Sequence, residues 1–189
     1  MSTLSTNEIR AGMKVEVDRE PWLIISNEFV KPGKGNAFNR IKMKNMITGR
    51  VVERTYKSGE KLDMADVEET QMRFLYKESD GAVFMDEKTF DQITISNETI
   101  GHNQQWLMEE TLFQVIFYKG EVIELIPPTF MVMKIVETAP GVRGDTSGRV
   151  LKPATTETGA KIQVPIFIEE DELVKVDTRT AEYVSRASE

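Results

Sequence analysis

Apolar residues along the chain recur in short alternating or β-branched runs, each flanked closely by turn residues. On that pattern residues 13–17, 22–25, 38–46 and 50–56 read as strands, and 71–76, 82–85, 112–118 and 122–126 continue the series. The last third adds 130–136, 161–164, 173–176 and 182–184. Only 88–92 and 103–110 are predicted as short helices. So many short strands with almost no helix predict an all-β chain built from small barrels or sandwiches.

Two interruptions divide this series. Residues 57–66 are polar, and Pro127-Pro128-Thr129 places two residues that cannot donate to a ladder between two strand-like runs. The expected division is 1–64, 65–128 and 129–189. Each segment is near the lower size limit for an independent core.

Between the apolar runs at 22–30 and 37–46 lies Lys31-Pro32-Gly33-Lys34-Gly35-Asn36. Pro32 presets φ for the second position of a tight turn, and Gly33 is expected to supply the positive φ of a type II turn. Gly35 and Asn36 also tolerate left-handed backbone, so the chain can reverse around Lys34 and hold it out at a hairpin tip. The loop alone admits two readings: a solvated tip whose lysine aids solubility, or a cation presented to a partner.

In the strand that follows, alternation turns Ile41 and Met43 inward and places Arg40, Lys42 and Lys44 together on the other face. That stripe is either the polar face of a half-buried strand or a contact for RNA phosphates beside the loop.

Charge sharpens the picture. The whole chain carries −7, with 24 Lys and Arg against 31 Asp and Glu, which argues against holding nucleic acid mainly by phosphate neutralisation. The balance is uneven: residues 1–64 sum to +4, 65–128 to −9 and 129–189 to −2. The hairpin is therefore the basic end of an acidic molecule.

Catalytic chemistry has little to work with. There is no cysteine, hence no disulfide, thiolate metal site or thiol nucleophile, and a reducing cytoplasm is the expected compartment. His102 is the single histidine and lies in a polar stretch without a second ligand, so neither a metal site nor histidine catalysis is expected. Adjacent acids such as Glu109-Glu110 read as solvated faces. No window reaches membrane-spanning length, and residues 1–8 lack the basic and apolar regions of a secretory signal. A non-enzymatic protein without resident cofactor is expected.

Several motifs in register resemble the bacterial elongation factor P family. They are residues 28–38 around Lys34, then Gly144-Asp145-Thr146-Ser147-Gly148, Lys152-Pro153-Ala154-Thr155, Thr158-Gly159-Ala160 and Val164-Pro165-Ile166-Phe167. The terminal runs 174–179 and Glu182-Tyr183-Val184-Ser185-Arg186 complete a resemblance covering about 7–186. It implies an SH3-like, KOW-like first barrel followed by two OB-folds in an elongated, L-shaped outline that mimics transfer RNA.

The resemblance further implies a factor that enters the 70S ribosome between the peptidyl and exit sites when synthesis stalls on consecutive prolines. Lys31, Pro32, Gly33, Lys34, Gly35 and Asn36 would then face the acceptor end of peptidyl-tRNA. Lys34 would carry a covalent extension, a β-lysyl group first, added by an enzyme resembling a lysyl-tRNA synthetase. Gly144, Asp145 and Thr146 match a loop that approaches messenger RNA near the exit-site codon. Tyr183 and Arg186 match positions near the anticodon stem of the peptidyl-site tRNA. A monomer with no membrane partner is implied. The alternative drawn from residue pattern is a general OB-fold protein binding single-stranded RNA, although the second and third segments lack its basic grooves and stacking platforms.

Overall fold

The computed structural model describes residues 2–140 and 150–188. It is nearly all β, as the alternation predicts. The first sheet contains β1 (Thr3–Ser5), β2 (Lys14–Val17), β3 (Glu20–Val30), β4 (Phe38–Asn45), β5 (Val51–Lys57) and β6 (Lys61–Met64), in the order β1-β6-β2-β3-β4-β5. The second contains β7 (Val67–Lys77), β8 (Gly81–Asp86), β9 (Gln92–Ser96), β10 (Leu112–Tyr118) and β11 (Glu121–Ile126), in the order β11-β10-β7-β8-β9.

The third is a closed barrel of β12 (Phe130–Thr138), β13 (Leu151–Thr156), β14 (Lys161–Pro165), β15 (Leu173–Asp177) and β16 (Glu182–Arg186), ordered β12-β13-β14-β16-β15. Five strands closing in that Greek-key order are the OB arrangement. By packing, the chain falls into two compact units, Met1–Thr70 with Val115–Glu124, and Gln71–Gln114 with Leu125–Glu189.

Each of the three sheets has its own apolar filling. Ile9, Val15, Trp22, Ile24, Ile41, Met43 and Leu62 form the first core. In the second sheet Phe74, Phe84 and Phe113 stack in tilted and edge-to-face pairs at 5.5 and 5.6 Å, the geometry that ring quadrupoles favour. Gly81 is required there, because a Cβ would stand 2.3 Å from the Ile95 carbonyl oxygen. The third barrel is filled by Met131, Met133, Ile135, Ile162, Val164, Val174 and Val176.

The expected strands omit β1 and β9, and four further corrections are needed. Residues 88–92 are not helical: they form the β8–β9 turn and the first residue of β9. The Asp86 carboxylate accepts from Lys88 N and Thr89 N at 2.7 and 3.0 Å, an Asx turn that takes the backbone groups a helix would need. Between 103 and 110 the helix is a 3₁₀ segment, Gly101–Trp106, preceded by one α turn, α1 (Asn97–Ile100), and it stops before Leu107. The polar interruption at 57–66 contains β6, held between β1 and β2. Finally, β13 was hidden by Pro153. That proline lies beyond Ala154, the last β13 residue paired with β12, so its missing N–H leaves that ladder intact.

Candidate functional site

The hairpin carrying Lys34 is an extension of a three-stranded ribbon. Val30 pairs with Phe38 across β3 and β4, and Phe38 pairs with Lys57 across β4 and β5, so all three strands run to the base of the loop. Lys31, Gly33, Lys34, Gly35 and Asn36 are exposed, while Pro32 is half-buried. The chain bends at residues 33–35.

The turn differs from the expectation in one respect. Gly33 does not take positive φ; Gly35 does, at 108°. The loop spans residues 31–37, too long for a two-residue type II turn, so a single glycine after Lys34 closes it.

Alternation along β4 matches the reading from sequence. Asn39, Ile41, Met43 and Asn45 are buried, and Arg40, Lys42 and Lys44 are exposed. The stripe is not uniformly free, however. Arg40 lies 3.3 Å from Glu28 and 3.6 Å from Glu53, its cross-strand neighbourhood on both sides. Lys42 and Lys44 make no ion pair among the described residues, and neither does Lys34.

Beneath the ribbon lies a network that sequence reading missed. Asn27 Nδ2 donates to the carbonyls of Thr6 and Ile9 at 2.7 and 2.9 Å, and Asn39 Nδ2 donates to Asn27 Oδ1 at 3.0 Å. Thr6, fully buried, donates its hydroxyl to the Lys57 carbonyl and accepts from Gly59 N. The turn at residues 6–9 thus straps β3 to the end of β5, with β4 tied in between. The legible signal was Asn39 itself, a polar residue at an inward position of an otherwise apolar alternation.

A second cluster fastens the β2–β3 turn. Glu16 Oε2 accepts from Tyr118 OH at 2.7 Å and from Lys119 Nζ at 2.9 Å. The Lys119 bond first, and the Tyr118 bond next, hold the Glu16 carboxyl below the usual carboxylate range. Burial, then the bond donated to Glu16, pushes the Tyr118 phenol up.

In the third barrel, Tyr183 pairs with Val176 and Arg186 with Val174. Three steps on β16 therefore span two on β15, and Val184 is the extra residue of a β-bulge. In a regular strand, residues three apart face opposite sides. Here the bulge brings Tyr183 and Arg186 to the same side. Arg186 is already engaged: its guanidinium stacks 4.8 Å from the Phe167 ring and donates to the Phe167 carbonyl and Glu172. Tyr183 lines a groove of about 580 Å³ with Leu151, Pro153, Lys161 and Glu182. Gly144, Asp145 and Thr146 lie outside the described residues.

Comparison with known proteins matches three family models in chain order. The elongation factor P KOW-like domain matches residues 5–62, its OB domain 67–125 and its C-terminal domain 131–186. The chain belongs to the elongation factor P family. Among curated family members, "Elongation factor P 2" of Protochlamydia amoebophila is 66% identical over 189 residues, covering 100% of both chains. The protein of that name from Chlamydia caviae is 60% identical over the same span and coverage.

Solved structures add the fold alone. A translation initiation factor 5A from Methanococcus jannaschii superposes with a TM-score of 0.54 at 19% identity, covering 66% of this chain and 94% of that one. A family protein of the same kind from Naegleria fowleri gives 0.55 at 15%, covering 66% and 97%. Among the described residues no helix is long and apolar enough to cross a membrane, and no cluster of potential metal ligands occurs.

Proposed function

We propose that this chain, a translation elongation factor by family, binds the 70S ribosome between the peptidyl and exit sites and speeds peptide-bond formation at consecutive prolines. The observation that carries the reading is the placement of Lys34, exposed and, among the described residues, without an ion-pair partner, on the loop at the end of a three-stranded ribbon. Proline reacts slowly in peptide transfer because its ring restricts the backbone and the amine. A cation that steadies the acceptor end of peptidyl-tRNA lowers that barrier by orientation, with no acid–base group of its own. The active centre belongs to the ribosome, and the chain acts as a positioning factor rather than an enzyme.

In this reading a β-lysyl extension on Lys34 Nζ lengthens the arm, and an enzyme resembling a lysyl-tRNA synthetase attaches it in the cytoplasm. Lys31, Pro32, Gly33, Gly35 and Asn36 shape the tip, while Lys42 and Lys44, with Arg40 as the paired member, face RNA phosphates. Gly144, Asp145 and Thr146 approach the exit-site codon, and Tyr183 with Arg186 approaches the anticodon stem. The three family matches support a division into 1–64, 65–128 and 129–189, and the chain works as a monomer. General binding of single-stranded RNA has less support, since Lys161 in the third-barrel groove is offset by Glu182.

The test is reconstituted translation of a polyproline template. Modified protein is expected to shorten the pause, and Lys34→Ala to abolish most of that effect with an unchanged melting temperature, because an exposed tip side chain contributes little packing. A pause unaffected by the fully modified protein overturns the reading.

A further inference from the structure

We infer that Ser58, in the β5–β6 turn, is a positioning residue for Lys34, an inference that rests on the polyproline reading above. The two legs of the Lys34 loop are held unequally. On the N-terminal leg, pairing stops at Val30 opposite Phe38, and Pro32 has no N–H with which to prolong it. On the C-terminal leg, Phe38 pairs with Lys57, and Ser58 N then donates to the Ala37 carbonyl at 3.1 Å. The β4–β5 pairing thus runs one residue past the end of both strands, toward Lys34. Among the described residues, this is the single backbone hydrogen bond from residues 31–37 to another segment.

The turn itself does not need that bond. Glu60 N donates to the Lys57 carbonyl at 3.0 Å and Gly59 stands at φ 83°, the pattern of a type II turn with Ser58 at its second position. The buried Thr6 hydroxyl donates to the Lys57 carbonyl at 3.2 Å and accepts from Gly59 N at 3.1 Å. Thr6 N donates to the Glu60 carbonyl at 2.8 Å, and Lys57 N to Glu60 Oε2 at 3.0 Å. Ser58 Oγ donates to Asn7 Oδ1 at 3.1 Å. The turn is closed, and tied to residues 6–7, before the Ala37 carbonyl is counted.

What the Ser58–Ala37 bond adds therefore lies in the loop. It leaves Gly35 and Asn36 alone between a fixed peptide and Lys34, and Gly35, at φ 108°, is the pivot between them. Released at Ala37, that leg gains backbone freedom which must be lost again when Lys34 engages its target. A misplacement of about 1 Å at a reacting end costs up to about a hundredfold in rate. A fixed turn reaching across to one leg of the loop suits a device that works by orientation.

The test compares polyproline rescue by the whole protein, Ser58→Pro and Ser58→Ala, with Lys34 in the same modified state in each, verified by intact mass. Each is titrated for its maximal rate and for the concentration giving half of it, and melted in parallel. Proline suits the second position of a type II turn and follows an extended residue without conflict. Ser58→Pro therefore keeps the turn, removes the N–H and is expected to melt at or near the parent temperature. Its maximal rate is expected to fall about fivefold or more, with the half-maximal concentration within about twofold of the parent. Ser58→Ala keeps the N–H and is expected to rescue within about twofold of the parent. In a Lys34→Ala background, Ser58→Pro is expected to add no further loss. In the unaltered protein, the Ser58 amide is expected to exchange with deuterium about tenfold or more slowly than an open amide. A parent-like maximal rate for Ser58→Pro, a fall in its melting temperature that accompanies the loss, an equal loss in Ser58→Ala or in the Lys34→Ala background, or a freely exchanging Ser58 amide each overturns the inference. A pause unaffected by the fully modified parent overturns the polyproline reading itself, and this inference with it.

Discussion

The side-chain amide of Asn39 donates to Asn27 Oδ1 at 3.0 Å across β4 and β3, one row below the loop that carries Lys34. Asn27 passes the connection on to the Thr6 and Ile9 carbonyls. Asn27 is half-buried, and removing a hydrogen bond from such an amide costs more than the bond contributes wherever an abandoned acceptor stays dehydrated. Asn27→Leu and Asn39→Leu are each expected to lose about 1–3 kcal/mol, read from urea unfolding midpoints. If the network also aims the ribbon, Asn39→Leu lowers polyproline rescue in the parent but adds nothing in a Lys34→Ala background. An equal fold-loss in both backgrounds would show that Asn39 acts independently of Lys34.

Acid weakens the β2–β3 turn through Glu16. Its carboxyl is held below the usual range by Lys119 and Tyr118, so its pairing stabilises the fold above the unfolded-state value of about 4.3. That contribution fades as pH falls through the lower, folded-state value. Glu87 beside Arg73 and Asp177 beside Arg179 carry the same sign. Unfolding midpoints measured from pH 7 to pH 3 are expected to fall below about pH 5, and less steeply for Glu16→Gln. Parallel curves for parent and variant would show that Glu16 contributes none of the acid dependence.

Two glycines flank Lys34, and their roles separate cleanly. Gly35 holds φ at 108°, whereas Gly33 does not use positive φ and a Cβ there meets nothing within 4 Å. Gly33→Ala is expected to leave stability unchanged or slightly higher, since it removes freedom from the unfolded chain. Gly35→Ala is expected to cost about 1–2 kcal/mol through backbone strain. Thermal melts of the two variants check the assignment, and equal losses would contradict it.

That pair also shows what a single sequence reveals. Period-two alternation exposed β4, its buried Ile41 and Met43 and its basic stripe, because one face is buried and the other solvated. The Lys31–Asn36 composition located the reversal but not its pivot, since several residues there tolerate left-handed backbone. Long-range partners left no local trace: Glu28 and Glu53 reach Arg40 from neighbouring strands. The Val184 bulge likewise depends on register with β15. β13 was concealed by Pro153, which lies past the last β13 residue paired with β12, a placement only the folded barrel reveals.

Pairing of Arg40 with two carboxylates sets a hierarchy within the stripe. Lys42 and Lys44 make no ion pair among the described residues, so a phosphate there displaces no paired carboxylate, although Glu53 stands opposite Lys42 in the β4–β5 register. At Arg40, the same phosphate must compete with Glu28 and Glu53. Each phosphate contact releases counterions, so its removal lowers the salt slope of binding by about one. Lys42→Ala and Lys44→Ala are expected to reduce the slope of log affinity for 70S ribosomes against log salt by about that amount, and Arg40→Ala by distinctly less. Glu53→Gln frees one side of Arg40 and is expected to tighten binding at low salt. The double variant Glu53→Gln with Arg40→Ala then returns to the Arg40→Ala value. Slopes unchanged by either lysine variant would make the stripe a solvated strand face and leave Lys34 to work without electrostatic support from β4.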